Sequence, residues 1–549
     1  MMRRPLDRLA EESYDLLIIG GGVNGLASAW DAALRGLKVA LIEKGDYGAA
    51  TSAASLKIIH GGLRYLQHLD FGRMREGISE RHAMMRLFPY LIEPFPFLVP
   101  TYGFSMKGKA AMRAAFVVND FMSRNRNRDL PAAAGEIPGG KILSKSETLG
   151  LAPSIETQGL TGGAMFYDAR MHNSERVTLA FALAADELGA DLANYVCAKR
   201  LVVKGEQVVA VEAEDQLTGA SFSIRAKQVL NACGPWNPLL LEMLGAKRGD
   251  FTYSAGVQVI TRAVTTQPIG LAVTSQHEDP DSKLKRGGRH YFTTAWRGNT
   301  IWGTTDRVYQ GDPDQFRITR EEVIRFVEEC DSALPGESLG ESDILHAYGG
   351  LRPVEGRNLH TGSQVSRRYT IFDHGEDLKV NNLLSIQGIK YTACRLMAEK
   401  AVDAVVAKLG GDQVCRTNSA SLSDPLVERD DLEKRLRQLG SSDALCLHLI
   451  RTWGANAPEV IAGANSDDLT PLFPTSAVCS AEVRYVVRNE SVHHLSDVLF
   501  GRTELGTMGY PGAVQLDAVA QLVGDELNWD EARKRQEVEA VQARYVFKN

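Results

Sequence analysis

Hydrophobic positions change rhythm along this chain, and each rhythm predicts a different kind of element. Tyr14-Asp15-Leu16-Leu17-Ile18-Ile19 is nearly continuous in apolar character, as a strand covered on both faces must be. An alanine-rich helix is predicted over 26–34, and Lys38-Val39-Ala40-Leu41-Ile42 reads as a second buried strand. Similar short apolar runs return at 190–196, 208–211 and 227–232, then at 383–386, followed by a helix over 392–409. Between 250 and 310 apolar and polar residues alternate, as in Val257-Gln258-Val259-Ile260 and Thr300-Ile301-Trp302-Gly303-Thr304-Thr305, the pattern of half-buried strands. From about Asp424 the pattern becomes helical and charged, as in Leu432-Glu433-Lys434-Arg435-Leu436-Arg437-Gln438-Leu439 and over 513–527.

Buried strands in three separated pieces predict an α/β, Rossmann-like domain from residues 1–70, 186–245 and 381–410. The intervening residues 71–185 and 246–380 then form a β-sheet cap over it, and 424–549 a helical C-terminal domain. The turn after the first strand, Gly20-Gly21-Gly22-Val23-Asn24-Gly25, is a dinucleotide-binding fingerprint. Gly20 permits the turn, Gly22 admits a pyrophosphate to the backbone, Gly25 lets helix and strand pack closely, and the helix N-terminus attracts the anion. Glu43, about 20 residues on, suits ribose hydroxyls and argues against a 2′-phosphate. The fingerprint alone does not separate FAD from NAD.

Composition narrows the classes further. A net charge of −6 over 549 residues gives no general attraction to nucleic acid. Seven scattered cysteines without C-x-x-C spacing disfavour a disulfide framework and a zinc site, and fit a reducing cytosol. No apolar run reaches the roughly 18 to 20 residues of a spanning helix, and the N-terminus lacks a secretory apolar region.

Lys57-Ile58-Ile59-His60-Gly61-Gly62-Leu63-Arg64-Tyr65 follows the nucleotide unit directly. With Thr51-Ser52, Asn231-Ala232-Cys233-Gly234-Pro235-Trp236, Gly303-Thr304-Thr305-Asp306, Gly350-Leu351-Arg352-Pro353, Gly388-Ile389-Lys390 and the C-terminal Ala481-Glu482-Val483-Arg484-Tyr485-Val486-Val487-Arg488, nearly the whole chain resembles the FAD-dependent glycerol-3-phosphate dehydrogenases. These belong to the glutathione-reductase/D-amino-acid-oxidase type of flavoproteins. The resemblance implies FAD, oxidation of sn-glycerol 3-phosphate to dihydroxyacetone phosphate, and electron transfer to a membrane quinone.

Oxidising a secondary alcohol needs a base within hydrogen-bond reach of the hydroxyl. His60 is the candidate, an imidazole able to accept a proton and followed by two glycines; a histidine that orders its loop or hydrogen-bonds flavin is the alternative. Phosphate suits guanidinium forks, and the resemblance points to Arg64 and Arg352 with Tyr65, Arg367 being a third arginine. Lys390 is placed to bind substrate or to stabilise reduced flavin. For the cofactor, the resemblance implies hydroxyls from Thr51, Ser52 and Ser55, adenine on the Val196 backbone, and close approach at Gly234. Asn24, Lys44, Gly61, Gly62, Trp236, Gly388, Tyr391 and Thr392 complete the expected contacts, with no metal.

Three departures bear on the substrate. The family's Lys-Gly-x-His segment on a strand over the flavin corresponds here to Ser254-Ala255-Gly256-Val257, without either polar side chain. Its Gly-Gly-Lys has become Gly388-Ile389-Lys390, and Ala393 and Cys394 replace polar or aromatic neighbours. Another small hydroxy or amino compound as substrate, with oxygen or another carrier as acceptor, therefore stands as an alternative, as does a flavin-binding partner protein without catalysis. Basic residues of 107–128 (Lys107, Lys109, Arg113, Arg124, Arg126, Arg128) interleave with Met112, Phe116, Val117, Phe121 and Met122. This pattern suits an anionic membrane surface and resembles the membrane-binding region of the bacterial dehydrogenases, though a helix packed on its own domain reads the same. Expected partners are thus the alcohol, a quinone or other acceptor, such a surface on the inner face of the cell membrane, and a second copy of the chain.

Overall fold

The computed structural model describes residues 2–103, 108–246, 252–278, 288–353, 369–388, 390–422 and 427–548. Its first sheet runs Thr370–Asp373, Leu383–Gln387, Ser221–Asn231, Ser13–Ile19, Val39–Ile42, Asp191–Ala193. Neighbours along this path are parallel except the edge pair formed by Thr370–Asp373 with Leu383–Gln387, and Val196–Lys204 and Gln207–Asp215 extend Ser221–Asn231 as an antiparallel branch. Ser13–Ile19 lies inside this sheet with layers on both faces, so Leu16 and Ile18 enter one core and Leu17 and Ile19 another. That placement explains the absence of alternation in the run.

The fingerprint turn is forced by close contacts. Gly20 has φ +112°, and a Cβ there would lie 2.6 Å from the Ala232 carbonyl oxygen; a Cβ on Gly25 would lie 1.9 Å from the Gly20 oxygen. The fingerprint helix, Val23–Leu34, starts directly at Gly22. Helix Ser174–Glu187, inside the stretch expected to form the cap, packs on it through Phe181 and Trp30, whose rings are 5.6 Å apart.

The second sheet runs Arg307–Gln310, Thr252–Arg262, Asn299–Gly303, Gly288–Trp296, Gly270–Glu278, Ile92–Tyr102, Leu160–Met171, Ile58–Ile59, with Ile344–Pro353 beside Thr252–Arg262. Arg297 and Gly298, both at positive φ, close a two-residue hairpin between Trp296 and Asn299, the loop that suits strand twist. The connection from the nucleotide domain is riveted to this sheet. Thr51 Oγ1 donates to the Leu351 carbonyl at 3.0 Å, Tyr348 OH to Ser55 O at 2.9 Å, and Thr294 Oγ1 to Leu56 O at 2.9 Å.

Helices Arg429–Gln438, Asp443–Trp453, Ser480–Asn489, Ala513–Leu527 and Glu531–Gln542 enclose a separate core that includes Leu432, Leu449, Val483, Val486 and Leu516. Buried ion pairs dock it: Arg502 grips Asp46 at 2.6 and 2.8 Å, and Arg176 meets Glu490 at 2.6 Å. Among the described residues no helix is long and apolar enough to cross a membrane.

Candidate active site

Two helix N-termini converge beside the fingerprint. Gly22 caps Val23–Leu34 without a side chain, and Cys394–Lys408 also starts without a side-chain cap. A Cβ on Gly388 would lie 2.3 Å from Asn24 Nδ2, so the bare backbone leaves the Asn24 side chain room beside it. Asn24 Oδ1 is buried there without a hydrogen-bond partner. Uncapped helix amides suit a pyrophosphate and an electron-rich ring edge, and an orphaned amide oxygen suits a ribityl or ribose hydroxyl. The residues therefore fit a flavin dinucleotide.

Glu43 ends its strand against the turn, its oxygens accepting from Gly21 N at 2.6 Å and Gly45 N at 2.8 Å. Burial pushes its pKa above the ordinary carboxylate value, and lone pairs remain for ribose hydroxyls. Ser52 Oγ accepts from the Val23 amide at 3.0 Å, and Ser55 Oγ from the Lys57 amide at 3.2 Å. The Val196 amide is committed to the Glu43 carbonyl at 2.7 Å. Lys44 lies 4.2 Å from the centroid of the Trp236 ring, and Lys44 Nζ and Trp236 Nε1 both donate to Asp314, at 2.5 and 2.8 Å. Gly234 takes φ +56°. Tyr391 is a pin within the protein, donating to Ser174 O at 2.8 Å and bonded to Thr178 Oγ1 at 2.7 Å.

A cavity of about 410 Å³ opens between Phe71–Leu87 and Cys394–Lys408, and His60, Tyr65, Lys390 and Thr392 share its wall. His60 is held by its amide, which donates to Thr392 Oγ1 at 3.0 Å, while its ring is half exposed. Its Nδ1 lies 3.6 Å from Asp168 Oδ2; the other oxygen of Asp168 accepts from Gly61 N at 2.6 Å and Arg81 Nη1 at 2.7 Å. Gly61 is obligatory here, because a Cβ would meet Arg81 Nη1 at 2.2 Å. Gly62, at φ +85°, starts the 3-10 turn Leu63–His68 that carries Tyr65, and Lys390 Nζ sits 4.2 Å from the Tyr65 ring centroid. Arg367 and Ile389 lie outside the described residues, as does the side chain of Arg64.

Arg352 is not among the described lining of that cavity. It sits in the roof opposite Ser254, donating through Nη2 to Ser254 Oγ at 2.8 Å and to the Thr305 carbonyl at 3.1 Å. The Lys-Gly-x-His segment expected over 254–257 falls one residue later. Gly256 is the close-packed position of its strand, where a Cβ would lie 2.5 Å from Thr304 Oγ1. Counting Lys-Gly-x-His from that glycine puts Ala255 at the lysine and Gln258 at the histidine, so the segment keeps one polar side chain. Gln258 is buried and donates to Thr304 Oγ1 at 3.1 Å, its Oε1 having no partner.

Sequence reasoning also missed Asp168, Arg81 and the acids of the cavity. A lone aspartate inside the apolar strand Leu160–Met171 was the available signal. Glu80 is neutralised by Arg395 at 2.6 and 2.9 Å, and Asp70 meets Arg73 at 3.1 Å. Glu76 accepts from Tyr369 OH at 3.5 Å, and burial raises its pKa.

A dinucleotide turn beside a cavity holding an imidazole and an ammonium fits a flavin-dependent redox enzyme. Residues 15–399 match the family model of FAD dependent oxidoreductases, and 406–534 that of the C-terminal domain of alpha-glycerophosphate oxidase. The chain belongs to the FAD-dependent oxidoreductases, within them to the glycerol-3-phosphate dehydrogenase family, with FAD as cofactor. It is 30% identical to the glycerol-3-phosphate dehydrogenase of Synechocystis sp., over 96% of this chain and 95% of that one. The mitochondrial glycerol-3-phosphate dehydrogenase of Mus musculus is 32% identical over 97% of this chain and 73% of its own. The crystal structure of the glycerol-3-phosphate dehydrogenase from Bacillus halodurans complexed with FAD superposes with a TM-score of 0.76 at 25% identity, covering 99% of this chain and 98% of that one.

Proposed function

We propose that this enzyme oxidises sn-glycerol 3-phosphate to dihydroxyacetone phosphate and passes the electrons to a quinone. The observation that carries the reading is the convergence of His60, Tyr65 and Lys390 on one cavity, in a chain similar from end to end to enzymes named for that substrate. Bound FAD supplies the two-electron acceptor for the hydride that leaves the alcohol carbon. His60 takes the hydroxyl proton, so that the C–O bond becomes a carbonyl. Asp168, its charge aimed by Gly61 and Arg81, orients the imidazole and steadies it once protonated. The 3.6 Å separation shortens on substrate binding, as catalytic hydrogen bonds commonly do. Lys390, backed by Tyr65, supplies the cation that faces the phosphate in this cavity, with Arg64 as a second; Arg352 stays bonded to Ser254 and Thr305 in the roof.

The fingerprint glycines, Asn24, Glu43, Ser52, Thr392 and the Gly388 backbone hold the cofactor. Helix Lys109–Met122 presents Val117 and Phe121, 66% and 68% exposed, and Arg124 lies over the Phe121 ring at 5.5 Å. Lys107 of the same segment lies outside the described residues. We assign this face to an anionic bilayer, the source of the quinone.

Anaerobic addition of glycerol 3-phosphate to the FAD-loaded protein bleaches the visible flavin band, whereas glycerol, lactate and glycine do not. An oxidised spectrum at saturating glycerol 3-phosphate, with bleaching by one of the others, overturns the assignment.

A further inference from the structure

Lys57 is a charged side chain with no exposure at all, three residues before His60. Its ammonium donates to Glu175 Oε2 at 2.9 Å, Glu504 Oε1 at 2.9 Å and Ser174 Oγ at 3.1 Å, and lies 5.1 Å from the Trp296 ring centroid. The second oxygen of Glu504, equally buried, accepts from Arg297, 3.0 Å from Nη2 and 3.2 Å from Nε. Four parts of the molecule meet here. They are the connection out of the nucleotide domain, helix Ser174–Glu187, the Arg297-Gly298 hairpin of the roof, and the C-terminal domain, which contributes Glu504 from 447 residues away.

What this cluster anchors is a strand of two residues. Ile58 and Ile59 pair with Arg170 and Ala169, a ladder too short to fix its own register. Lys57 enters it at φ +58°, a conformation a lysine keeps only when its surroundings impose it. The register matters because Ile59 opposite Ala169 brings His60 next to Asp168. A slip of one residue would reverse the facing of every side chain in the strand and take the imidazole from the carboxylate.

We propose that Glu504 is a positioning residue for the active site: through Lys57 it fixes the register of Ile58–Ile59 and so holds His60 against Asp168. The C-terminal domain is thereby part of the catalytic apparatus without touching substrate or cofactor. The kinetic consequence rests on His60 being the proton acceptor; the structural consequence does not.

The test compares FAD-loaded, full-length wild type with Glu504→Gln by hydrogen exchange and steady-state kinetics. Amides of residues 58–61 should exchange about tenfold faster in the variant, while those of Ala513–Leu527 stay within about twofold. kcat for glycerol 3-phosphate should fall about tenfold with KM little changed, a loss confined to the chemical step. Glu504→Asp, which keeps the charge, should recover part of both effects, and it carries the comparison if the glutamine variant does not fold. Unchanged exchange at 58–61 overturns the proposal, as does equal acceleration throughout the C-terminal helices. Faster local exchange with unchanged kcat leaves the positioning intact and removes His60 as proton acceptor.

Discussion

At the scale of single residues, the site combines groups that chemistry can name in advance with groups that only packing brings together. His60 and Lys390 were legible because their types fit the reaction. Asp168 was not, since nothing in the sequence says that residue 168 lies 3.6 Å from residue 60. Asp168→Asn keeps an acceptor for Gly61 and Arg81 but removes the charge facing the imidazole, so kcat should fall roughly 10- to 100-fold with flavin content unchanged. An unaltered kcat would leave His60 without a carboxylate partner. Glu76 offers a test of substrate charge. A carboxylate on the cavity wall about 4 Å from a phosphate opposes it by roughly 1 kcal/mol in water. Glu76→Gln should therefore lower KM for glycerol 3-phosphate about fivefold and leave the inhibition constant of unphosphorylated glycerol unchanged; equal effects on both would show that charge is not what Glu76 contributes. Gln258 marks the other limit of reading a motif. The sequence does not show that Gly256, the glycine from which the motif is counted, packs with its Cβ position 2.5 Å from Thr304 Oγ1.

At the scale of elements, the parallel strands were readable because burial on both faces leaves an unbroken apolar run, and helix Ala513–Leu527 because its period is regular. Ile58–Ile59 has too few residues to show any period, and helix Ser174–Glu187 looks alike in sequence whether it covers the roof or, as here, the fingerprint helix. Helix Lys109–Met122 was legible as amphipathic, but its sequence did not say how the face divides. Phe116 is buried in the roof cluster with Phe97 and Phe166, and Val117 and Phe121, four residues apart, point outward. Exposed apolar side chains beside basic ones bind anionic bilayers through burial and charge together. Replacing both Val117 and Phe121 by glutamate should reduce co-sedimentation with phosphatidylglycerol-containing vesicles about tenfold, while turnover with a soluble dye acceptor stays the same. Equal sedimentation of the two proteins would remove this face as the membrane contact.

At the scale of the whole molecule, buried titratable groups lie where the roof meets the C-terminal domain, and they bear on how stability follows pH. His346, on the roof strand Ile344–Pro353, packs against Phe500 and Tyr545 of the C-terminal domain, with ring centroids 6.1 and 5.4 Å away. Burial, with Arg544 nearby, depresses its pKa to about 3. The folded protein keeps this imidazole neutral where an unfolded chain, titrating near 6.5, takes up a proton. Between those values the unfolded state binds more protons, so stability falls as pH drops from 6.5 towards 3, by up to about 1.4 kcal/mol per pH unit from this group. A mutant comparison isolates the histidine from the other titrating groups. His346→Phe keeps a ring in the aromatic cluster and cannot be protonated, so its melting temperature should decline less steeply than that of the wild type between pH 6.5 and 4, the gap widening with each step in acidity. Parallel melting curves over that range would mean that His346 already carries its proton in the folded protein, and that the contact between roof and C-terminal domain is not the acid-sensitive joint.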